Sequence, residues 1–275
     1  MATALPHRRV RFEWPDDLTP IWCPDVPELA IAADAVSLLM PHAEPYIVGV
    51  TRAAVDEGLV DDPQVVAAAR GYVAQEAGHH AQHRRFNDLI VADAPGAARV
   101  DRWFATWFGW LRRRSTRFGL AFAASFETIA FVAARWVDRR QRLLRGADPT
   151  VATLFLWHLA EEVEHKRVAF DTYRAAGGGR LRHAAAMVTA ALVLAVGALV
   201  GSLALLRATG RLWRPGSHLR LAGWSLSFVL TAVPVMVVSL LPGHHPDQLV
   251  DPAGLERWLD HLDPDTATVP EWALP

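Results

Sequence analysis

Two stretches of the sequence decide how the chain folds, QEAGH at residues 75–79 and EEVEH at residues 161–165. Each stretch contains a Glu-x-x-His motif. Because an α-helix has about 3.6 residues per turn, this spacing places the carboxylate and the imidazole of a motif on one helical face. We therefore predict two helices that each present one such pair. The four residues are Glu76, His79, Glu162 and His165.

Two further glutamates precede these motifs. Glu44 lies 32 residues before Glu76, and Glu127 lies 35 residues before Glu162. Glu127 stands in the apolar segment AFAASFETIAFVAA (121–134), where a lone buried carboxylate is costly unless it is paired or bound to a metal. Two halves, each with a lone Glu followed by Glu-x-x-His, form the ligand set of a ferritin-like dinuclear metal bundle.

The six expected metal ligands are Glu44, Glu76, His79, Glu127, Glu162 and His165. The motif glutamates would bridge two ions, the lone glutamates would each be a terminal ligand, and each histidine would bind one ion. We expect two metal ions per chain, with iron preferred and manganese or zinc as alternatives, because carboxylate and imidazole ligands suit these metals. The helical register also leaves Glu161 as an alternative ligand to Glu162.

Two more histidines lie one helical turn from the motifs. His83 follows His79 on the same face, and His158 precedes Glu162. Each could be a third nitrogen ligand, a proton donor or a partner that orients a ligand. We treat His83 and His158 as the candidate catalytic residues.

Prolines, glycines and caps predict four helices and no strands. The expected ranges are about 30 residues from Pro27, then Pro63 to Ala92, Ser115 to Arg145, and Pro149 to the glycines at 177–179. The predicted fold class is all-α, a ferritin-like four-helix bundle with a C-terminal hydrophobic helical hairpin. We divide the chain into the bundle (1–180), the hairpin (181–246) and an acidic tail (247–275).

The chain contains no acidic residue from Ala175 to Pro246, a range that includes the hairpin, and two uncharged runs cover 187–206 and 221–241. About 20 apolar residues suffice to cross a bilayer as a helix. A membrane hairpin is one interpretation, and helices buried in a homodimer or in the protein core are the alternative. Three tryptophans on one helical face are either a second sign of a membrane interface or an ordinary aromatic stripe of the core. They are Trp103, Trp107 and Trp110.

The topology of such a hairpin favours shallow insertion. The connection 207–220 carries four arginines and no acid, which places it in the cytoplasm by the positive-inside rule. Residues 1–17 lack the apolar core of a signal peptide. We therefore expect a catalytic part on the cytoplasmic side of the membrane, held by a monotopic or hairpin anchor.

The overall composition excludes other classes of protein. The 28 basic and 29 acidic residues give a formal net charge of −1, so we expect no nucleic-acid partner. The single cysteine, Cys23, cannot form an internal disulfide. Membrane lipid and a small lipophilic substrate are the partners that the hairpin suggests.

Several longer stretches resemble a bacterial family described as predicted metal-dependent hydrolases. They are RFEWPDDLTPIWCPDVPELA (11–30), PHAEPYIVGV (41–50), QEAGHHAQHRRFND (75–88) and EEVEHKRVAFDTY (161–173). The resemblance covers most of residues 9–180. It implies metal-dependent activity, with the family's acidic and histidine positions matching Glu44, Glu76, His79, His83, Glu127, Glu162 and His165.

Three functions fit these observations. The main hypothesis is an enzyme that uses two iron ions, or manganese and iron, and O2 to oxidise a lipophilic substrate at the membrane. The alternative is a metal-dependent hydrolase that uses a metal-activated water, for which the extra histidines would move protons. Metal binding without catalysis is the third.

Overall fold

The computed structural model describes residues 5, 8–15, 17–92, 94–263 and 265, and this part of the chain is helical with no strand. The helices are α1 (Pro27–Ser37), α2 (Met40–Asp56), α3 (Pro63–Ala92), α4 (Pro95–Leu111), α5 (Thr116–Asp138), α6 (Pro149–His165), α7 (Val168–Ala175), α8 (Arg180–Ala208), α9 (Pro215–Ser239) and α10 (Ala253–Leu259). Short 3-10 turns cover Gln141–Leu144 and Pro246–Gln248.

Helices α2, α3, α5 and α6 form the predicted bundle. Helix α2 packs against α3 and α5, and α6 packs against both α3 and α5. Local sequence starts two of these helices, because the Ser115 side chain accepts from Phe118 N at 3.3 Å and the Asp148 side chain accepts from Val151 N at 3.0 Å. The prediction of an all-α, ferritin-like fold is confirmed.

Three predicted helix ranges were wrong in their limits. The first helix divides into α1 and α2, because Pro41 lacks an N–H and its ring clashes with the preceding helical turn. The third ends at Asp138, whose carboxylate accepts a hydrogen bond from Leu255 N at 2.9 Å. The fourth ends at His165, and Lys166 directly after it contacts Asp251 of the C-terminal region.

The two hydrophobic runs form α8 and α9, which differ in burial. Helix α8 packs along α1, α4 and α5. Two glycines allow this close approach, because a Cβ at Gly197 would lie 2.6 Å from Phe104 and one at Gly201 would lie 2.8 Å from the Ala35 side chain. Helix α9 packs on α5 and α1, but most of its residues are exposed or only half-buried.

Three described helices, α5, α8 and α9, are long and apolar enough to cross a membrane. Of these, α5 is a core helix of the bundle, since 78% of its apolar 18-residue stretch is buried inside the protein. The predicted runs in α8 and α9 keep the exposed apolar surface that the sequence suggested.

The connection between α8 and α9 is tied to the bundle by one buried acid. Glu28 of α1 accepts from Ser217 at 2.6 Å and lies 3.2 Å from both Arg211 and Arg220. At the other end of α8, the His183 ring lies against Phe170. Both ends of α8 are therefore held against the helical bundle and its neighbouring helices.

Helix α4 has a buried aromatic side and an exposed one, and the beginning of the tail packs on the bundle. Phe104 and Phe108 fill the core, whereas the Trp110 side chain is 42% exposed beside Arg114. In the tail, α10 packs on α5 and α6 and buries Trp258. The rest of the predicted tail, from residue 266, lies outside the described residues.

Candidate metal centre

The bundle brings all six expected ligand residues into one buried cluster. Glu44 comes from α2, the first Glu-x-x-His pair from α3, Glu127 from α5 and the second pair from α6. No residue of the cluster is more than 3% exposed. One atom from each of the residues Glu76, His79, Glu162 and His165 lies within 4.8 Å of the others.

The two motif glutamates lie between the two histidines. The Nδ1 atom of His79 lies 3.8 Å from Glu76 and 3.7 Å from Glu162. The Nδ1 atom of His165 lies 2.8 Å from Glu76 and 3.8 Å from Glu162. Carboxylates in this position could hold ions between the two histidines, and their bridging role stays a prediction from the sequence.

The two lone glutamates lie at opposite ends of this cluster. Glu127 Oε2 is 3.9 Å from His165 Nδ1, and Tyr72 donates a 2.6 Å hydrogen bond to Glu127 Oε1. Glu44 Oε1 is 3.7 Å from His158 Nε2. Each lone glutamate can therefore be a terminal ligand for a different ion.

The buried polar atoms of the cluster fit a metal site because many have no hydrogen-bond partner. These atoms are both carboxylate oxygens of Glu44 and of Glu76, one oxygen each of Glu127 and Glu162, and the Nδ1 atoms of His79 and His165. A buried polar group without a partner is unfavourable, and a charged one more so. Cations bound among these lone pairs would remove that cost.

Hydrogen bonds outside the cluster fix which nitrogen of each histidine faces it. His79 donates from Nε2 to Glu161 at 2.9 Å, and His165 donates from Nε2 to Gln75 Oε1 at 2.7 Å. The Gln75 amide is oriented because its Nε2 donates to Glu164 at 3.0 Å. When neutral, both histidines would thus present an unprotonated Nδ1 to the cluster, as metal-bound histidines do.

Glu161, the alternative ligand in the sequence, has a different position. Its Oε2 accepts from His79, and its Oε1 accepts from Arg8 at 3.0 Å. Both oxygens are therefore engaged behind the histidine, whereas those of Glu162 face the cluster. Gln75 and Glu161 directly precede the two motif glutamates, a parallel that was visible in the sequence and missed. No local sequence pattern predicts the contact of Arg8 with Glu161.

The protonation of the cluster reflects its crowded carboxylates. Burial first, and then the nearby charge of Glu76, hold the pKa of Glu44 well above its ordinary value. Burial and the charge of Glu162 do the same to the pKa of Glu127. Burial alone would lower the pKa of His79, but the carboxylates of Glu161 and Glu76 outweigh it and raise this pKa to about 10. Protons thus provide the positive charge that cations would otherwise supply.

The two candidate catalytic histidines extend the cluster toward α1. His158 Nε2 lies 2.8 Å from Glu162 Oε1, and His158 Nδ1 lies 2.6 Å from His83 Nε2. His83 Nδ1 in turn lies 2.7 Å from the hydroxyl of Ser37. One atom each of Glu44, His83 and His158 lies within 4.8 Å of the others, so this group also could hold an ion.

The direction of this chain follows from its far end. Asn87 Nδ2 donates to the Ser37 carbonyl at 2.8 Å, so Asn87 Oδ1 accepts from the Ser37 hydroxyl at 2.7 Å. The hydroxyl must then accept from His83 Nδ1, and His83 Nε2 must accept from His158 Nδ1. With this order the proton of a neutral His158 lies on Nδ1, so the 2.8 Å hydrogen bond between His158 Nε2 and Glu162 Oε1 needs a further proton on one of these two atoms.

Comparisons with known proteins point to one family. The family model described as "predicted metal-dependent hydrolase" matches residues 6–249, a range that includes the whole cluster and the α8–α9 hairpin. No match was found among curated proteins or among solved structures. Because the family model covers most of the chain, the protein belongs to the predicted metal-dependent hydrolase family.

Proposed function

We propose that this protein is a metal-dependent hydrolase that acts on a lipophilic substrate at a membrane surface. The observation that carries the proposal is the buried set of carboxylate oxygens and imidazole nitrogens without hydrogen-bond partners. Family membership supports hydrolysis in preference to the oxidation that was our main hypothesis from sequence.

Some residues of this chain would hold the metal ions, and others would take part in the reaction. The six ligands would hold two divalent ions, which lower the pKa of a bound water and polarise the bond to be broken. The outer hydrogen bonds from His79 to Glu161 and from His165 to Gln75 keep both imidazoles oriented. The burial of the cluster keeps bulk water away from the reacting groups.

His158 is the group that we propose as the general base. Its Nε2 faces Glu44 and Glu162, and it can accept a proton from the attacking water when it shares none with Glu162. Burial, followed by the nearby charge of His79, lowers the pKa of His158 and so favours the neutral ring. His83 and Ser37 orient the ring through its other nitrogen.

The lipophilic substrate and the membrane are proposed from the surface of the hairpin. The exposed apolar side chains of α8 and α9 include Leu199, Leu226 and Leu230, at 60%, 59% and 68% exposure. Contiguous apolar surface of this kind mostly serves binding to a membrane or a partner. A hydrolase held in this way would meet apolar esters or amides where they are concentrated.

The test is hydrolysis by metal-free protein reloaded with Zn²⁺, Mn²⁺ or, without oxygen, Fe²⁺. The substrates are p-nitrophenyl esters with short and long acyl chains. We expect turnover that depends on the metal and is lost in Glu162→Gln. His158→Gln should lower kcat by about 10²- to 10⁴-fold with metal still bound. The matched control is His80→Gln, which changes a histidine next to the cluster. Full activity in Glu162→Gln would contradict the proposal.

Oxidation with O2 remains the second candidate because of the donor set. Four carboxylates and two histidines, arranged as two equivalent halves, suit a pair of iron ions as well as other divalent metals. Ferrous protein exposed to O2 in a stopped-flow spectrometer would then consume oxygen and change its absorption. Such a change without any hydrolysis would favour oxidation. Tight metal binding with neither reaction would indicate a non-enzymatic metal protein.

A further inference from the structure

The two halves of the metal centre hold their histidines in the same way but with different acceptors. In each half, the outer nitrogen of the histidine donates to the residue that directly precedes the motif glutamate of the other half. For His79 this acceptor is the carboxylate of Glu161, and for His165 it is the amide oxygen of Gln75. All four residues are buried, so both contacts lie in a medium of low polarity.

An acceptor of different charge changes how strongly a histidine binds a metal. A carboxylate that accepts the outer N–H makes the imidazole a stronger electron donor than a neutral amide does, because the hydrogen bond to a charged acceptor is stronger. Arg8 moderates the charge of Glu161, but the same guanidinium also pairs with Glu164 at 2.9 Å. The His79 half therefore keeps the more strongly donating imidazole.

The terminal glutamates differ in the same direction. Tyr72 donates to Glu127 Oε1 at 2.6 Å, which withdraws charge from the carboxylate beside His165. Neither oxygen of Glu44 has a hydrogen-bond partner. Glu44 can therefore give its full charge to an ion on the His79 side.

We propose that the two metal positions bind divalent transition metals with unequal affinity. The position formed by Glu44 and His79 fills first and holds its ion more tightly. The position formed by Glu127 and His165 fills second and exchanges its ion more readily. Protein isolated with limited metal then carries one ion per chain. This inference rests on the metal centre of the proposed function.

The test is titration of the full-length metal-free protein with Mn²⁺ or Zn²⁺ by calorimetry, without substrate. Wild type should show two binding events of different affinity. Glu161→Gln should weaken the tighter event by about 10- to 100-fold and bring the two affinities together. Gln75→Glu combined with Glu164→Gln should strengthen the weaker event, since it places a carboxylate behind His165 and keeps the net charge. A gain of affinity cannot arise from poor folding.

A spectroscopic measurement identifies the position that fills first. With one equivalent of Co²⁺, the ring N–H proton of a bound histidine is shifted by the unpaired electrons. We expect one such exchangeable signal, which His79→Gln removes and His165→Gln keeps. Equal affinities in wild type, or a first signal that is lost in His165→Gln and kept in His79→Gln, would overturn the inference even if hydrolysis is observed. If both ions bind unequally but no ester is hydrolysed, the inference stands and the proposed function fails. Absence of binding would remove both.

Discussion

At the scale of single residues, the centre depends on carboxylates that a metal-free protein cannot easily accommodate. Glu127 lies in α5 within residues 119–129, which are all buried, and Tyr72 donates a hydrogen bond to one of its two oxygens. Protonation relieves the charge, since burial and Glu162 raise the pKa of Glu127 well above its ordinary value. The same side chain should therefore have opposite effects on stability with and without metal.

Glu127→Gln tests this reversal. Without metal, the variant should unfold at a temperature equal to or above that of wild type, because it removes an ionisable group from an apolar site. With saturating metal it should unfold at a lower temperature and bind one ion less, because a ligand is lost. Thermal unfolding with and without EDTA measures both. The control is Glu57→Gln, an exposed acid after α2, and equal losses in both conditions would contradict the prediction.

The raised pKa of His79 gives a pH dependence of stability. Its folded-state pKa of about 10 exceeds the ordinary 6.5, so the protonated ring stabilises the metal-free fold fully below pH 6.5. That contribution is lost as the pH rises from 6.5 toward 10. The raised pKa values of Glu44 and Glu127 likewise make the metal-free fold less stable as the pH rises.

We therefore expect the unfolding temperature of the metal-free protein to fall as the pH is raised from 6.5 to 10. Bound metal should suppress this fall, because the ions replace the protons. Calorimetric scans in EDTA and in metal buffer make the comparison. An unfolding temperature that rises with pH in EDTA would contradict the assignment.

At the scale of elements, the position of α8 depends on glycines that admit neighbouring helices. A Cβ at Gly201 would lie 2.8 Å from the Ala35 Cβ and 3.1 Å from its Cα, so α1 and α8 would have to separate. At the other end of the contact between α1 and α8, Glu28 pairs with Arg211 and accepts a hydrogen bond from Ser217. Helix α8 is thus part of the folded protein and not a detached anchor.

Gly201→Ala and Gly223→Ala form a matched pair that tests this packing. Gly201→Ala should destabilise the protein by about 1–3 kcal/mol, because overpacking forces the helices apart. Gly223→Ala lies in α9 with open space around the new Cβ, and it should be neutral or stabilising by up to about 1 kcal/mol. Chemical unfolding in detergent measures both. Equal effects would mean that α8 does not pack as described.

At the scale of the whole molecule, exposed apolar side chains are concentrated on the α8–α9 hairpin. Leu226 and Leu230 of α9 are mostly exposed, whereas α5, another long apolar helix, is largely buried in the bundle. Because the hairpin lies along the bundle at both ends, we propose that lipid covers its outer side without the bundle entering the membrane. The cytoplasmic location and the homodimer stay predictions.

Vesicle flotation tests the lipid contact. Full-length protein should float with vesicles of anionic and zwitterionic phospholipid, and Leu226→Gln with Leu230→Gln should reduce the floating fraction severalfold, because both apolar side chains are lost. The control is Val250→Gln, which removes a 78% exposed apolar side chain outside the hairpin. A detergent-free dimer that does not float would contradict the proposal and favour a second copy as the cover.

The sequence by itself determined the helical class, the two halves and the residues that meet in the centre. It could do so because ligand spacing along a helix is local, and because Glu127 in an apolar segment demanded a partner. Local signals also placed α3 within its predicted range. They failed at Pro41 and after His165, where the predicted helices divide.

Only the tertiary structure decided what lies behind the ligands. The contacts of His79 with Glu161, His165 with Gln75 and Glu161 with Arg8 join residues 82, 90 and 153 positions apart, so no local pattern specifies them. The packing of α8 on α1 is likewise set by shape between distant segments. Spacing along a helix indicates the candidate ligands. Long-range packing determines their orientation and the difference between the two halves.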